Sequence, residues 1–151
     1  MNISKYLLQK SDVKTLLIVV VALGSLFSCS SLKKSKTQTI VNGAISVANA
    51  NYNATKFSTQ RVWSNIQLTG EFSGQRGQAD SVRALVMTML DFINFANGEK
   101  ATFVFDSGVV LGGKIDLNLP SQDQDYALVF YNTSSGNTPI QVTAQAILTY
   151  K

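Results

Sequence analysis

Alternation of apolar and polar residues is the feature that most constrains the fold of this chain. It occurs over residues 66–72, 114–119 and 141–149. Successive side chains of a strand point to opposite faces, so a period of two predicts antiparallel strands with one buried and one hydrated face. Pro120 directly follows the second segment and should end that strand, because proline has no N–H for the ladder.

Other segments extend this all-β pattern. Residues 126–131 are apolar throughout, which is typical of a central strand. The remaining predicted strands are bounded by turn-forming residues and cover 44–48, 52–58 and 99–105. About eight short strands predict a single antiparallel β-sandwich of two packed sheets over residues 40–151.

One segment has the period of a helix instead. Its apolar residues are spaced three or four apart and are Val82, Leu85, Val86, Met89, Ile93 and Ala96. Asp80 or Ser81 could cap the start of such a helix, and Gly98 could cap its end. Periodicity alone therefore predicts one continuous helix over 82–96.

Short motifs between Leu68 and Lys151 follow one another in a specific order. They are Gly70-Glu71-Phe72, Asp80-Ser81-Val82, Asn97-Gly98, Phe105-Asp106-Ser107-Gly108, Leu119-Pro120, residues 126–132 and Leu148-Thr149-Tyr150. This order resembles an uncharacterised β-sandwich module of secreted bacterial proteins, of jelly-roll type and broadly GOLD-like. The resemblance implies a strand over 82–89 and a short helical turn over 90–96. The sequence departs from the pattern at 133–139, where a small polar loop replaces an aromatic one.

The N-terminal segment has a different composition. Lys5, Lys10 and Lys14 precede an apolar run over 16–27, and Cys29, the only cysteine, follows it. As a helix this run covers roughly 18 Å, short of the ~30 Å hydrocarbon layer. The arrangement resembles a bacterial lipoprotein signal.

The resemblance implies a signal peptide over 1–28, then Cys29 acylated with two or three chains, and a polar flexible tether reaching residue 39. Two or more chains hold a protein stably on a membrane. Ser30 is not the aspartate that resembles an inner-membrane retention signal, so the outer membrane is favoured in a host with two membranes. A plain secretory signal and an uncleaved anchor remain the alternatives.

Charge argues against nucleic acid as a partner. Residues 40–151 contain seven basic and eight acidic side chains, a net charge of −1. A nucleic-acid-binding domain normally carries a basic patch. The lysines of the tether could instead lie on anionic lipid headgroups, or serve only as solubilising charge.

The sequence argues against several kinds of catalytic and metal site. The chain has no histidine, which removes the commonest general base and zinc ligand. A carboxylate pair could still hydrolyse a glycoside, although no two of the acids stand out. Asp116, Asp123 and Asp125 could offer oxygen ligands to calcium, or simply lie in solvated turns. No cofactor is expected.

Two sets of residues are candidates for binding. Asp80, Asp106 and Asn132 are the polar positions of the matched motifs and could share a small site, or each could cap a turn. Trp63 could stack on a sugar or a partner, with packing at the rim of the core as the alternative. The other aromatic candidates are Tyr52, Phe95 and Tyr131.

These observations predict a lipid-anchored protein of the bacterial cell envelope whose β-sandwich binds or scaffolds without catalysis. Another envelope protein, a polysaccharide and a second copy of the chain are the candidate partners. A small envelope hydrolase with a carboxylate pair and a calcium-dependent adhesion module are the alternatives.

Overall fold

The computed structural model describes residues 34–48, 50–74, 82–133 and 139–151. This part of the chain folds into two four-stranded antiparallel sheets and one short helix. The elements in chain order are β1 Lys36–Val47, β2 Tyr52–Thr59, β3 Ile66–Gly74, β4 Val82–Thr88, α1 Met89–Ala96, β5 Phe105–Asp106, β6 Gly112–Leu119, β7 Gln124–Asn132 and β8 Ile140–Tyr150. The predicted all-β sandwich is confirmed.

The strands pair as one long antiparallel ribbon that has been rolled up. β1 pairs with β8, β2 with β7, β3 with β6 and β4 with β5. Further pairing of β3 with β8 and of β4 with β7 gives the sheet orders β1-β8-β3-β6 and β2-β7-β4-β5. This is the jelly-roll arrangement, in which two Greek keys form a double sheet.

The main core fills the space between the two sheets. Its largest members from the first sheet include Leu68 and Leu148, and those from the second include Leu128 and Phe130. Phe72 and Phe130 meet across this space with ring centroids 5.7 Å apart. The alternating segments thus became strands whose apolar residues face inward, as the period of two predicts.

A second, smaller core lies on the outer face of the β2-β7-β4-β5 sheet. Leu85, Met87, Ala127 and Val129 are fully buried there, beneath side chains of α1 and of the segment before β5. The Thr88 side chain caps α1 by accepting a hydrogen bond from the Asp91 N–H at 3.2 Å. One sheet of the sandwich is therefore covered, whereas the outer face of the other sheet carries mainly polar side chains.

This second core explains the helical spacing of residues 82–96. β4 is buried on both faces, with Ala84 and Val86 in the main core and Leu85 and Met87 beneath α1. A strand buried on both faces is apolar throughout and loses the period of two. The strand followed by a short helix is confirmed, and the single continuous helix is wrong.

Two predicted boundaries are corrected. The strand expected over 99–105 is reduced to the two residues of β5, because the preceding segment crosses the second core as a loop. The Thr102 N–H of that loop donates to Asp91 at 2.9 Å, and Phe103 packs against Phe95. The tether expected to reach residue 39 is shorter, because β1 begins at Lys36 and pairs there with Tyr150.

The predicted signal peptide, Cys29 and tether residues 30–33 lie outside the described residues. Within the described ranges, no helix has the length and apolar character needed to cross a bilayer.

Candidate functional site

The outward face of the β1-β8-β3-β6 sheet is polar across all four strands. The alternation that buries Leu148 and Ile66 turns their neighbours outward. The outward side chains are mostly Thr, Gln, Asn, Ser, Asp, Glu and Lys. Among the described residues, this face has no helix or loop packed over it in the way that α1 covers the other sheet. We call it the polar face.

Four exposed side chains form a continuous row across this face. Asn42 of β1 lies opposite Gln145 of β8, Gln145 lies opposite Glu71 of β3, and Glu71 lies opposite Lys114 of β6. Neighbouring strands are about 4.8 Å apart, so the row extends over roughly 14 Å. We call these four residues the polar row.

A groove of about 550 Å³ lies over the polar row. Its lining adds mainly small residues to the row, namely Gly43, Phe72, Ser73, Gly113, Thr143 and Ala144. A second depression of about 260 Å³ continues along the same face past Thr69 and Ile147.

The polar row offers every kind of hydrogen-bonding group that a neutral polar ligand needs. The amides of Asn42 and Gln145 both donate and accept, the carboxylate of Glu71 accepts, and the ammonium group of Lys114 donates. One acidic and one basic side chain line the groove, so their charges cancel. Opposite charges at directly facing positions also stabilise the pairing of two strands.

Of the three residues predicted to share a polar site, Asp106 and Asn132 are not brought together. Asp106 lies on the outer face of its sheet, where both carboxylate oxygens accept from Arg83, the Nε–Oδ1 distance being 2.8 Å. Asn132 is fully buried and points into the sandwich, where its Nδ2 donates to the Val47 carbonyl at 3.2 Å. Asp80 lies outside the described residues. Asp106 and Asn132 therefore serve opposite faces of one sheet.

The hydrogen bonds of Asp106 define its electrostatics. The Arg83 guanidinium lowers the pKa of the Asp106 carboxyl, and the Gly108 N–H, which donates to Oδ1 at 2.9 Å, lowers it further. This last bond is the turn cap that was the alternative role for Asp106. Asp106 in turn raises the pKa of Arg83, because its carboxylate accepts hydrogen bonds from the guanidinium. The Arg83 guanidinium also lies 5.3 Å from the centre of the Phe103 ring.

The aromatic candidates all pack against other aromatic rings of the sandwich. The Trp63 ring is half-buried and stacks on Tyr150 with centroids 3.7 Å apart and planes 11° from parallel. Tyr52 and Tyr131 both contact Phe95, at 5.7 and 5.8 Å between centroids, in the layer under α1. Packing at the rim of the core is thus the role in which the structure places these rings.

The three aspartates considered for calcium each have a separate partner. Asp116 accepts from Gln67 at 2.8 Å, and Asp125 accepts from Ser58 at 2.6 Å. Asp123 accepts from the N–H of Arg61. In the described ranges, no group of three or more Asp, Glu, His or Cys side chains is arranged to hold a metal ion.

No pattern in the sequence predicts the polar row. The period of two predicts that Glu71, Lys114 and Gln145 lie on the hydrated faces of three strands, and the structure confirms this. Their meeting depends on which strands are neighbours and in what register, and a pattern within one strand carries no information on either.

No protein-family model matches the chain, and no curated protein matches it. Among solved structures it is similar to the VP2 subviral particle of infectious bursal disease virus, with 12% identity and a TM-score of 0.43. That match covers 78% of this chain and 32% of VP2, so the chain spans about a third of VP2's length.

Two smaller proteins match over most of their own length. One is PliG of Aeromonas hydrophila, a periplasmic inhibitor of g-type lysozyme, with 10% identity, a TM-score of 0.41 and coverage of 78% of this chain and 86% of that one. The other is the C-terminal CBM6 of LamC from Zobellia galactanivorans, with 11% identity, a TM-score of 0.40 and coverage of 80% and 94%. Identities and TM-scores this low are no basis for transferring a ligand or an activity.

Proposed function

We propose that this chain is a lipid-anchored binding module of the bacterial cell envelope, without catalytic activity, that takes a neutral hydroxyl-rich polymer such as an envelope polysaccharide in the groove over its polar row. The observation that carries the proposal is the row of Asn42, Gln145, Glu71 and Lys114 across four strands. Its hydrogen-bonding groups face outward, and the charges in the groove cancel.

The chemistry of the groove favours a neutral glycan over the other candidate partners. A charged polymer would need a groove with an excess of one sign, whereas Glu71 and Lys114 balance. A protein partner usually places an aromatic or aliphatic anchor in an apolar pocket, and the exposed side chains of the groove are polar. Sugar hydroxyls both donate and accept, as the two amides of the row do.

Two of the described carboxyl groups, those of Asp106 and Asp91, are unsuited to act as the acid of a hydrolase. A glycosidase needs one carboxylic acid whose pKa is raised so that it can donate a proton near neutral pH. The pKa of Asp106 is lowered by Arg83, and that of Asp91 is lowered by the Thr102 N–H and the Thr88 hydroxyl. Both shifts are opposite to what a general acid requires.

The proposed location rests on the resemblance of the N-terminal segment to a lipoprotein signal. Acylation of Cys29 would hold the sandwich at the surface of a membrane, the outer one in a host that has two. Mass spectrometry of the chain purified from its host's membranes tests this directly. We expect an N-terminal Cys29 carrying two or three acyl chains, and an unmodified full-length chain would refute the anchor.

Ligand binding is tested with a matched pair of variants on β8. Gln145 and Gln141 are the same residue type on the same strand and point to the same face, but only Gln145 lines the groove. In affinity gel electrophoresis with neutral polysaccharides, including that extracted from the host's envelope, Gln145→Ala should weaken binding about three- to tenfold, the loss of one hydrogen bond. Gln141→Ala should bind as the unaltered chain does.

Two results would contradict the proposal. One is that no neutral polysaccharide retards the chain in the gel. The other is that Gln141→Ala and Gln145→Ala weaken binding equally, which would place the ligand elsewhere on the face. Release of reducing ends during incubation would instead favour the hydrolase.

A further inference from the structure

Of all the strands, β1 begins nearest in sequence to the predicted anchor. Only residues 30–35 separate Cys29 from Lys36, the first residue of β1. Seven residue steps span at most about 25 Å when fully extended. An acyl chain on Cys29 would therefore hold this end of the sandwich close to the membrane. We call it the anchor-side end; it comprises Lys36, Tyr150, Lys151 and the loop of residues 60–65.

We infer that the anchor-side end lies directly on anionic lipid headgroups, with Val62 entering the interface and basic side chains around it. This inference rests on the proposed acylation of Cys29. It adds an orientation of the sandwich to the location already proposed.

Val62 is held at the tip of a braced loop. Its side chain is 75% exposed, the largest exposure of any large apolar side chain in the described ranges. The loop is fixed to the end of the chain by two backbone hydrogen bonds between Ser64 and Lys151, of 3.0 and 2.9 Å. Trp63 adds a stack on Tyr150. An exposed apolar residue on a rigid loop loses little entropy when it enters another phase.

Basic side chains surround this tip. Lys34, Lys36, Arg61 and Lys151 are all exposed at the anchor-side end. Two acidic side chains lie near them: Asp123, 65% exposed and 3.5 Å from the 79% exposed Arg61, and Asp125, which is exposed at the start of β7. Each Lys or Arg near an anionic leaflet strengthens association about fivefold. The combination of one apolar tip and an excess of positive charge matches an anionic lipid surface.

The orientation leaves the polar row accessible. Asn42 and Gln145 lie five positions of β8 away from the pair Lys36 and Tyr150. At about 3.4 Å per residue this separation is roughly 17 Å along the strands. With the anchor-side end on the headgroups, the groove opens sideways above the membrane rather than against it.

Trp63 is the only tryptophan of the chain and lies next to Val62, so its fluorescence reports on the proposed contact. The experiment uses the full acylated chain reconstituted in phosphatidylcholine vesicles with or without phosphatidylglycerol, containing lipids with a nitroxide quencher at headgroup depth. We expect strong quenching with the anionic lipid. Quenching should weaken when ionic strength rises from about 0.1 to 1 M, which shortens the Debye length from about 10 to about 3 Å.

Matched variants separate this contact from general charge effects. Arg61→Gln with Lys151→Gln should lower the ratio of docked to undocked protein about 25-fold, two basic residues at about fivefold each. Lys56→Gln with Lys100→Gln removes the same charge from exposed positions that are not part of the anchor-side end and should leave quenching unchanged. Val62→Gln should weaken quenching without any change of charge, because it removes the apolar tip alone.

Each outcome decides the inference. An acylated, membrane-bound chain whose Trp63 is not quenched overturns the orientation while leaving the anchor intact. Equal quenching in both double variants overturns it as well. A chain without acyl groups on Cys29 overturns the anchor and the orientation together.

Discussion

The Arg83–Asp106 ion pair holds the two-residue strand β5 on the edge of its sheet, and the substitution Asp106→Asn tests how much this pair contributes. Both carboxylate oxygens accept from the guanidinium, and the side chains are 31% and 34% exposed. The asparagine side chain would keep an oxygen for the Gly108 N–H but lose the charge. The change therefore removes the charge of the carboxylate together with its second acceptor oxygen, to which the Arg83 Nη2 donates.

The expected loss in the free energy of unfolding lies between two known limits. A fully exposed ion pair contributes about 0.2–1 kcal/mol, and a hydrogen bond to a charged group about 1.5–3 kcal/mol. With roughly two thirds of each side chain covered, Asp106→Asn should lower the free energy of unfolding by about 1–1.5 kcal/mol. For a domain of this size that corresponds to a melting temperature lower by about 3–8 °C.

The Arg61–Asp123 pair provides a control of the same kind. Its side chains are 79% and 65% exposed, its ionic contact is single at 3.5 Å, and Asp123 also accepts from a backbone N–H. Asp123→Asn should therefore cost less than about 0.5 kcal/mol. Thermal melts followed by circular dichroism compare the two variants with the unaltered chain at pH 7.

The direction of the pKa shift of Asp106 predicts how the stabilisation by the ion pair depends on pH. Arg83 lowers the pKa of Asp106 in the folded state, so the stabilisation is fully present above the unfolded value of about 3.9 and is lost as pH falls through the folded value. The gap in melting temperature between the unaltered chain and Asp106→Asn should be constant from about pH 5 to 7 and close below about pH 4. Equal effects of Asp106→Asn and Asp123→Asn, or a gap that widens in acid, would refute this reasoning.

Three other substitutions test the packing. Gly70→Ala should cost at least about 2 kcal/mol in urea unfolding, because its Cβ would lie 2.8 Å from Cα of Ala146 and push β3 from β8; an unchanged midpoint would contradict this. Asn132→Ala should cost about 1–3 kcal/mol in the same assay, since the Val47 carbonyl would lose its buried donor. Thr88→Ala should cost about 1 kcal/mol and speed amide hydrogen exchange in α1, whereas equal exchange rates would show that the cap is dispensable.

The strands with one wet face could be predicted from the sequence because burial and exposure alternate residue by residue. β3, β6 and β8 each have a core face and the polar face, so the period of two is preserved. β7 could be predicted as central from its apolar run, and it does lie between β2 and β4. For these strands, local sequence and tertiary environment agree.

The secondary structure was wrongly predicted for segments around the second core. Periodicity predicted a helix where β4 forms, because Leu85 and Met87 are covered by α1 and a strand apolar on both faces has no characteristic period. The apolar residues before β5 suggested a strand, whereas Phe103 belongs to a loop that crosses the same layer. Both errors have one cause: the sequence of a segment does not reveal a second layer packed on its outer face.

The candidate site could not be predicted from the sequence because it depends on the topology of the sheet. A rolled ribbon brings Asn42 beside Gln145, and Glu71 beside both Gln145 and Lys114, so residues far apart in the chain form one row. None of the four is unusual for the hydrated side of a strand, and only their common register makes them a row. The same pairing places the first residue of β1 beside Tyr150, which sets the anchor-side end and the groove at different heights of one sheet. The proposed anchoring and the proposed ligand binding would then use different parts of one sheet.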